Sequence, residues 1–215
     1  NGTATNQATA TVVDANGNTL SGVEVTWSQD GSALLGTSPK TDANGQATVT
    51  FTDTKAQTVN ITATVNNSSL SKPSTFIGDS GSVKVSALTV TSGAVANGTA
   101  TNQATATVVD ANGNPLSGVE VTWSQDGSAQ LGTSPKTDAN GQATVTFTDT
   151  KAQTVNITAT VNNSSLSKPS TFVGDSGSAK ISALTVTSGA VANGTATNQA
   201  TATVVDANSN QLSGV

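Results

Sequence analysis

The chain repeats itself with a fixed offset of 96 residues, so that segment 1–7 returns as 97–103 and again as 193–199. Residues 97–192 differ from residues 1–96 at only five positions. The five differences are Thr19/Pro115, Leu34/Gln130, Ile77/Val173, Val83/Ala179 and Val85/Ile181. Near-identical neighbours add length and valency to a protein, whereas a single catalytic pocket gains little from being copied intact. The repeat therefore indicates that the function resides in the array of units.

The size of the unit and its polar junction predict the domain organisation. Each unit has the size of one immunoglobulin-like domain, and a Gly/Ser-rich stretch at 78–82 separates one unit from the next. We expect residues 1–80 to form a domain that lacks its first strand, residues 81–176 a complete domain, and residues 177–215 the N-terminal strands of a third domain. Because both ends fall inside a repeat, we also expect the chain to be a segment of a longer protein.

Composition limits the partners that the chain can have. It carries eight Lys, no Arg and thirteen acidic residues, for a net charge of -5. These charges are scattered singly, whereas phosphate binding requires clustered cations, so we expect no nucleic-acid partner. The longest apolar runs are far below the roughly 20 residues needed to cross a bilayer, and we expect no direct membrane insertion of this segment. The absence of Cys excludes disulfide and thiolate chemistry.

Alternation of apolar and polar residues predicts that each unit is built from short strands. In the clearest case, residues 59–66, four apolar residues alternate with Asn and Thr. We expect further strands at 7–12, 23–27, 33–37, 47–52, 74–77 and 87–90. Trp27 lies in the inward phase of its strand, and we expect it to be buried in the core of the sandwich. The segments 14–18 and 42–45 contain Asn-Gly turns. We therefore predict an all-β fold of tandem immunoglobulin-like Greek-key β-sandwiches arranged end to end.

Two motifs in each unit resemble a known family. The first is the turn and strand at 14–27, and the second is the turn and strand at 41–51. Both return in the second unit at 110–123 and 137–147, and the third unit begins the first motif at Asp206 with Ser209 in place of Gly. Together they resemble the bacterial immunoglobulin-like group 1 (Big-1) domains of the intimin and invasin family of outer-membrane adhesins.

The resemblance implies a role at the bacterial cell surface. Tandem domains of this family act mainly as a stalk that carries a distal receptor-binding domain, which implies cell adhesion, virulence or biofilm formation. The implied partners are neighbouring repeats of the same chain and a host-cell or bacterial surface receptor bound through other domains. The implied location is extracellular, with anchorage to the outer membrane through regions outside this chain. The family supplies no catalytic, cofactor or metal residues to transfer.

The side chains present favour the same conclusion about catalysis. The unit has no His, Cys, Arg, Tyr or Met, which removes most nucleophile and base pairs and most metal triads. Carboxylates remain, but Asp14, Asp42 and Asp53 each stand in a turn or at a strand end, where capping explains them. We therefore expect no enzyme and no catalytic, cofactor-binding or metal-binding residues.

Three other interpretations of these polar residues are weaker, and the first of them, a calcium loop, fails on its spacing. The segment 14–18 has oxygen ligands at alternate positions, but its Gly is fourth and no Glu follows at the twelfth position of a calcium loop. Calcium at the junction near Asp79 is a variant of the same idea. An intramolecular isopeptide bond requires a buried Lys, whereas Glu24 points outward and the lysines stand in turns or junctions. Those lysines are Lys40, Lys55, Lys72 and Lys84.

Two further hypotheses concern surfaces rather than sites. The Thr ladders at 48–52 and 62–64 form a hydroxyl surface that suits a glycan or ice, or simply keep identical units soluble. As an alternative to the stalk, the repeats themselves bind a host or bacterial surface ligand weakly and gain avidity from their number. Since Leu34 is replaced by Gln130 at the equivalent place, we expect that position to be exposed in both units.

Overall fold

The computed structural model describes residues 1–215 and divides the chain into two compact units. The first unit contains Asn1–Val83 together with Val109–Leu116, and the second contains Lys84–Val108 together with Ser117–Val215. Assignment of the segment Val109–Leu116 to the first unit matters for function, because by sequence it belongs to the second repeat.

Six strands form the first unit. They are β1 (Thr5–Thr11), β2 (Thr26–Gln29), β3 (Leu34–Leu35), β4 (Gln46–Thr52), β5 (Thr58–Val65) and β6 (Ser68–Thr75). They make two antiparallel sheets, ordered β1-β4-β3 and β2-β5-β6. The buried core contains Ala33, Val49, Phe51, Val59 and Ile61, with Ala8, Trp27, Leu35 and Phe76 packed against it.

Ten strands belong to the second repeat and the start of the third. They are β7 (Lys84–Val90), β8 (Ala94–Val95), β9 (Asn102–Val109), β10 (Thr122–Gln125), β11 (Gln130–Leu131), β12 (Gln142–Thr148), β13 (Thr154–Val161), β14 (Ser164–Val173), β15 (Lys180–Val186) and β16 (Ala200–Val205). Two four-stranded sheets have the orders β10-β13-β14-β8 and β11-β12-β9-β7. Strand β8 runs parallel to β14, and β15 pairs only with β16.

The predicted all-β sandwich architecture is confirmed, and the phase of the alternation is confirmed with it. Val25 is buried while Glu24 is exposed, and Leu34 and Gln130 are both exposed as the copy comparison requires. Trp27 and Trp123 are only half-buried, with the indole nitrogen inside, and the largest fully buried side chains are phenylalanines. The rings of Phe51 and Phe76 pack edge to face, with their centroids 5.9 Å apart.

Four strand predictions are wrong in their bounds. The strand expected at 33–37 contains only Leu34–Leu35, and the one expected at 87–90 begins at Lys84. The strand expected at 23–27 begins at Thr26, because Val23 bonds instead to Thr41 on a neighbouring loop. The strand expected at 74–77 begins at Ser68, since Asn66 adopts a positive φ of 51° and turns the chain into a tight hairpin with β5. Asn is one of the few residues that tolerate this conformation, and its place in an alternating run concealed the turn.

The structure contains no helix that is both long enough and apolar enough to cross a membrane.

Candidate functional site

The most elaborate polar structure in each unit is a loop that we name by its aspartate. The Asp110 loop comprises residues 109–116 and packs within the first unit. Its turn is built locally, since the Asp110 carboxylate accepts the backbone N–H groups of Asn112 and Asn114, each at 2.9 Å. Gly113 supplies the positive φ of 86° that the turn requires, and Val109 pairs with Pro115 in an isolated bridge.

The second oxygen of the same carboxylate reaches beyond the turn. It accepts the side-chain amide of Asn114 at 2.8 Å and the backbone N–H of Asp79 at 3.0 Å. Asp110 is 0% exposed, so four N–H donors replace its water shell. Buried carboxylates are stable only when they are hydrogen-bonded in this way.

Asn114 joins the loop to the backbone of the preceding repeat. Its side-chain nitrogen donates to the Thr54 carbonyl and its side-chain oxygen accepts the Ala56 N–H, both at 2.8 Å. A primary amide has one acceptor oxygen and two N–H donors. The Asn114 amide therefore pairs with the backbone of residues 54–56 as a peptide group of a neighbouring strand would. The third group, the second amide hydrogen, satisfies the Asp110 carboxylate.

An apolar contact completes the loop. Leu116 is 6% exposed, and a Cβ atom placed on Gly78 would lie only 2.5 Å from the Leu116 Cδ2 atom. The absence of a side chain at Gly78 therefore creates the space that Leu116 occupies. The backbone N–H of Ala111 also donates to the Ser82 hydroxyl at 3.1 Å. We call the surface that receives the loop, formed by Thr54, Ala56, Gly78, Asp79 and Ser82, the receiving surface.

The second unit repeats this arrangement 96 residues later, in the Asp206 loop (residues 205–212). Asp206 accepts the Asp175 N–H at 3.1 Å, and Asn210 bonds to Thr150 and Ala152 at 2.9 and 2.7 Å. Ser209 replaces the glycine and holds a positive φ of 69°. Here Asn208 makes an additional bond, donating to the Ala96 carbonyl at 2.9 Å.

The first copy of the sequence has the turn without the receiving surface. In the Asp14 loop (residues 13–20), Asp14 accepts the N–H groups of Asn16 and Asn18 and the Asn18 amide, at 2.8 to 2.9 Å. Asn18 is exposed and Leu20 is 37% exposed. The turn is therefore encoded locally, and burial of the loop depends on what it packs against.

Hydrogen bonding controls the ionisation of these aspartates. Burial alone would raise the pKa of Asp110, but hydrogen bonds from Asn114 and from the Asp79 N–H outweigh it and hold the pKa below its usual value. The pKa of Asp206 is lowered against its own burial in the same way. In the more exposed Asp14, the Asn18 side-chain amide is the main cause of a lowered pKa.

The remaining aspartates singled out in the sequence also cap turns and strand ends. Asp42 accepts the N–H groups of Asn44 and Gln46. Asp53 is 6% exposed and accepts the Ser32 hydroxyl at 3.0 Å and the Gln57 amide at 2.7 Å. Burial would raise the pKa of Asp53, but these bonds and the Lys55 N–H lower it.

The geometry also bears on the alternatives left open by the sequence. Glu24 and the four lysines of the first repeat are exposed, as solvated charges should be. No group of three or more acidic side chains is close enough together to hold a metal ion. Near the Gly/Ser-rich stretch, the Asp79 carboxylate accepts the Gly81 N–H at 3.1 Å. All four hydrogen bonds to the Asp110 carboxylate come from N–H groups. That the chain has no catalytic, cofactor or metal residues stays a prediction.

Sequence reasoning missed the role of the asparagines. Asn114 and Asn210 follow the turn glycine or serine, where neither φ nor the Asx turn requires an Asn. That lack of a local reason is the signal that could have found them. Asp30 was likewise missed, and it binds both the N–H and the side-chain amide of Asn60, at 2.8 and 2.7 Å.

The fold and the repeated loop define a class of tandem immunoglobulin-like β-sandwich domains. The family model for the bacterial Ig-like domain (group 1) matches residues 1–77 and 84–173. The chain therefore belongs to the bacterial Ig-like domain (group 1) family, which is not an enzyme family. The resemblance noted at the two motifs is confirmed.

A curated relative and two solved structures agree with this assignment. The inverse autotransporter adhesin YeeJ of Escherichia coli (strain K12) is 36% identical over 227 residues, which cover 96% of this chain and 10% of that protein. The chain thus spans a tenth of the length of this relative. Yersinia pseudotuberculosis InvD superposes with a TM-score of 0.73 at 18% identity, covering 99% of this chain and 68% of that chain.

Invasin, a bacterial integrin-binding protein, superposes with a TM-score of 0.55 at 24% identity, covering 100% of this chain and 46% of that chain. At these identities the two structures support the fold alone. The family model and the 36% identity to YeeJ relate these repeats to the Ig-like domains of an adhesin.

Proposed function

We propose that these repeats are structural spacers of a bacterial cell-surface adhesin, which carry a distal binding domain away from the cell for adhesion or biofilm formation. The chain is extracellular in this proposal, and regions outside it supply the outer-membrane anchor and the receptor contacts. Its own partners are neighbouring repeats of the same chain. The likeness to the adhesin YeeJ supports this setting.

The observation that carries the proposal is the buried Asp110 loop. This loop is encoded by the second repeat, yet its polar groups bond to residues of the first repeat within one compact unit. The loop cannot leave the first unit without exposing a carboxylate and breaking several hydrogen bonds. The Asp206 loop repeats the arrangement, which is what a load-carrying array requires.

Mechanical measurement tests the spacer role. In single-molecule stretching of the chain by its two ends, we expect Asp110→Ala with Asn114→Ala to lower the force at which the first unit unfolds. The matched pair Asp14→Ala with Asn18→Ala makes the same chemical change in a loop without a receiving surface, and we expect little change in force. Equal effects of the two pairs would contradict the role assigned to the loop.

A binding measurement separates the spacer from its alternative. We expect the immobilised chain to show no saturable binding to a glycan array, to host epithelial cells or to bacterial cells. Saturable binding that competes with the soluble chain would instead assign recognition to the repeats, with avidity from their number.

A further inference from the structure

The buried carboxylate of Asp53 lies at the start of the backbone segment that Asn114 contacts. Asp53 is 6% exposed, and none of its side-chain hydrogen bonds goes to the Asp110 loop. The two groups that Asn114 contacts, the Thr54 carbonyl and the Ala56 N–H, belong to residues that follow Asp53 in the chain. Neither group is paired with another backbone group. The segment thus keeps one acceptor and one donor available for the asparagine.

The Asp53 carboxylate fixes this segment on both sides of these groups. One oxygen accepts the Lys55 N–H at 2.9 Å, which closes an Asx turn. The other oxygen accepts the side-chain amide of Gln57 at 2.7 Å. The Gln57 carbonyl in turn accepts the Phe76 N–H at 2.8 Å, which ties the end of the segment to the rest of the unit. The groups that Asn114 contacts therefore lie between two anchors.

A third anchor comes from the loop that joins β2 to β3. The Ser32 hydroxyl donates to the Asp53 carboxylate at 3.0 Å and also accepts the Gln57 side-chain amide. Ser32 makes no hydrogen bond to the Asp110 loop. Any effect of Ser32 on that loop must therefore pass through Asp53 and Gln57.

The second unit contains the same network 96 residues later. Asp149 is 2% exposed and accepts the same three kinds of donor as Asp53. These donors are the Ser128 hydroxyl at 2.9 Å, the Lys151 N–H at 3.0 Å and the Gln153 amide at 2.7 Å. Asn210 bonds to the segment that follows Asp149, as Asn114 does after Asp53. The second unit therefore provides a matched copy for experiment.

Ordering of the segment in advance favours docking of the loop. If the segment became fixed only when the loop docks, the lost conformational entropy would offset much of the gain from the two hydrogen bonds that Asn114 makes. The Asp53 network orders the segment through contacts with its own repeat instead. Asn114 then meets an acceptor and a donor that are already in place.

We propose that Asp53 is a positioning residue for the Asp110 loop, because it sets the backbone geometry in which Asn114 finds its two partners. Asp149 has the same role for Asn210. This role deepens the spacer function and rests on it for the purpose of the contact. The positioning itself is measured at equilibrium without applied force, so the positioning role and the spacer role can fail separately.

A double-mutant cycle between Asp53 and Asn114 tests the positioning role. Asp53→Asn places an amide against the Gln57 amide, and Asn114→Ala removes the contact with the segment. We expect each variant to lower the free energy of unfolding of the first unit, and the double variant to lose clearly less than the sum. Trp27 fluorescence in a chain with Trp123→Phe measures these losses. Additive losses would overturn the proposal, since a carboxylate with a purely structural role shares no bond with Asn114.

Asp30 supplies the matched control for this cycle. It also accepts one backbone N–H and one side-chain amide, but both come from Asn60 on β5. Asp30→Asn therefore makes the same chemical change outside the segment that Asn114 contacts. We expect its loss to add to that of Asn114→Ala. Coupling as large as that of Asp53 would show that the cycle does not report on positioning and would overturn the proposal.

Hydrogen exchange gives a readout that a loss of global stability does not produce. In Asp53→Asn, the Ala56 amide should exchange roughly tenfold faster relative to the slowest amides of β5, which corresponds to the loss of about one hydrogen bond. Asn114→Ala removes the acceptor of this amide and sets the upper limit. Ser32→Ala removes one donor at an exposed residue and should act in the same direction if Asp53→Asn fails to fold. Equal acceleration at Ala56 and in β5, or none at Ala56, would overturn the proposal.

Discussion

The Asp14 and Asp110 loops differ at a single position, Thr19 or Pro115, yet Asp14 is half-buried whereas Asp110 is 0% exposed. Both loops make the same local bonds, with the carboxylate accepting two backbone N–H groups and one Asn amide. Only the Asp110 loop adds the Asp79, Thr54 and Ala56 contacts. Because the local hydrogen bonds are the same in both loops, the loop conformation does not depend on burial, and the loop needs little reorganisation to pack.

The same contrast between a buried and a half-buried copy predicts the largest effect in the core. Phe172→Ala should destabilise its unit by about 3 to 5 kcal/mol, because Phe172 is fully buried, lies opposite Ala94 of β8 and packs against Phe147. Phe76→Ala removes the same ring from an equivalent edge-to-face pair at a half-buried position and should cost roughly half as much.

Urea unfolding can assign each loss to its unit, since Trp27 and Trp123 report separately when the other is replaced by Phe. Equal losses of unfolding free energy for the two variants would mean that the deeper burial of Phe172 adds nothing to stability.

The next effect is at the loop itself. Asp110→Ala should cost the first unit about 2 to 3 kcal/mol, because it leaves the Asp79 N–H and the Asn114 amide without their charged acceptor. Asp14→Ala should cost less, since water can replace the lost bonds at an exposed turn. Denaturant midpoints followed by Trp27 fluorescence measure both. A larger loss for Asp14→Ala would reverse the comparison between the two loops.

A smaller effect is expected at the apolar part of the receiving surface. Gly78→Ala places a methyl group against the Leu116 side chain and should cost about 1 to 2 kcal/mol, because that side chain must shift. Leu116→Ala should make room for the methyl group, so the two changes together should cost less than their sum in a double-mutant cycle. Additive losses would show that the two groups do not meet.

The smallest effect is in the response to acid. Because the pKa of Asp110 is lower in the folded state than the unfolded value of about 3.9, its contribution to stability is present above that value. The contribution is lost as the pH falls through the folded pKa, so unfolding should become easier below about pH 4. The Asp110→Asn variant should have a lower free energy of unfolding at pH 7, and that free energy should change less with pH in this range. An unchanged slope in the denaturation midpoint against pH would assign the acid response to other aspartates.

Much of the fold follows from patterns that are local in sequence. The alternation at 47–52 and 59–66 predicted β4 and β5 with the correct inward residues, because a strand that covers a core must place apolar groups at every second position. The Asn-Gly turns were equally visible. The hairpin turn at Asn66 was not visible, because Asn66 falls at a polar position of the alternating segment 59–66 and looks like one more outward-facing residue.

The candidate site was only half predictable. Asp14 and Asp110 were correctly interpreted as turn residues, since an Asx turn needs only neighbours in the chain. The partners of Asn114 lie 58 and 60 residues away, and no pattern in the sequence connects them. The domain boundaries at 80 and 176 stay a prediction, although the compact units show that a loop beyond residue 80 belongs to the first unit.

By itself, the sequence determined the repeat period, the inward and outward residues of the main strands, the turns of the three aspartate loops and the family. These depend on backbone preferences and on alternation, which act over a few residues and are the same in every copy. Only the tertiary structure decided how deeply each aspartate loop is buried, because burial depends on the groups that the loop packs against. The same turn therefore forms a buried loop at Asp110 and a more exposed one at Asp14.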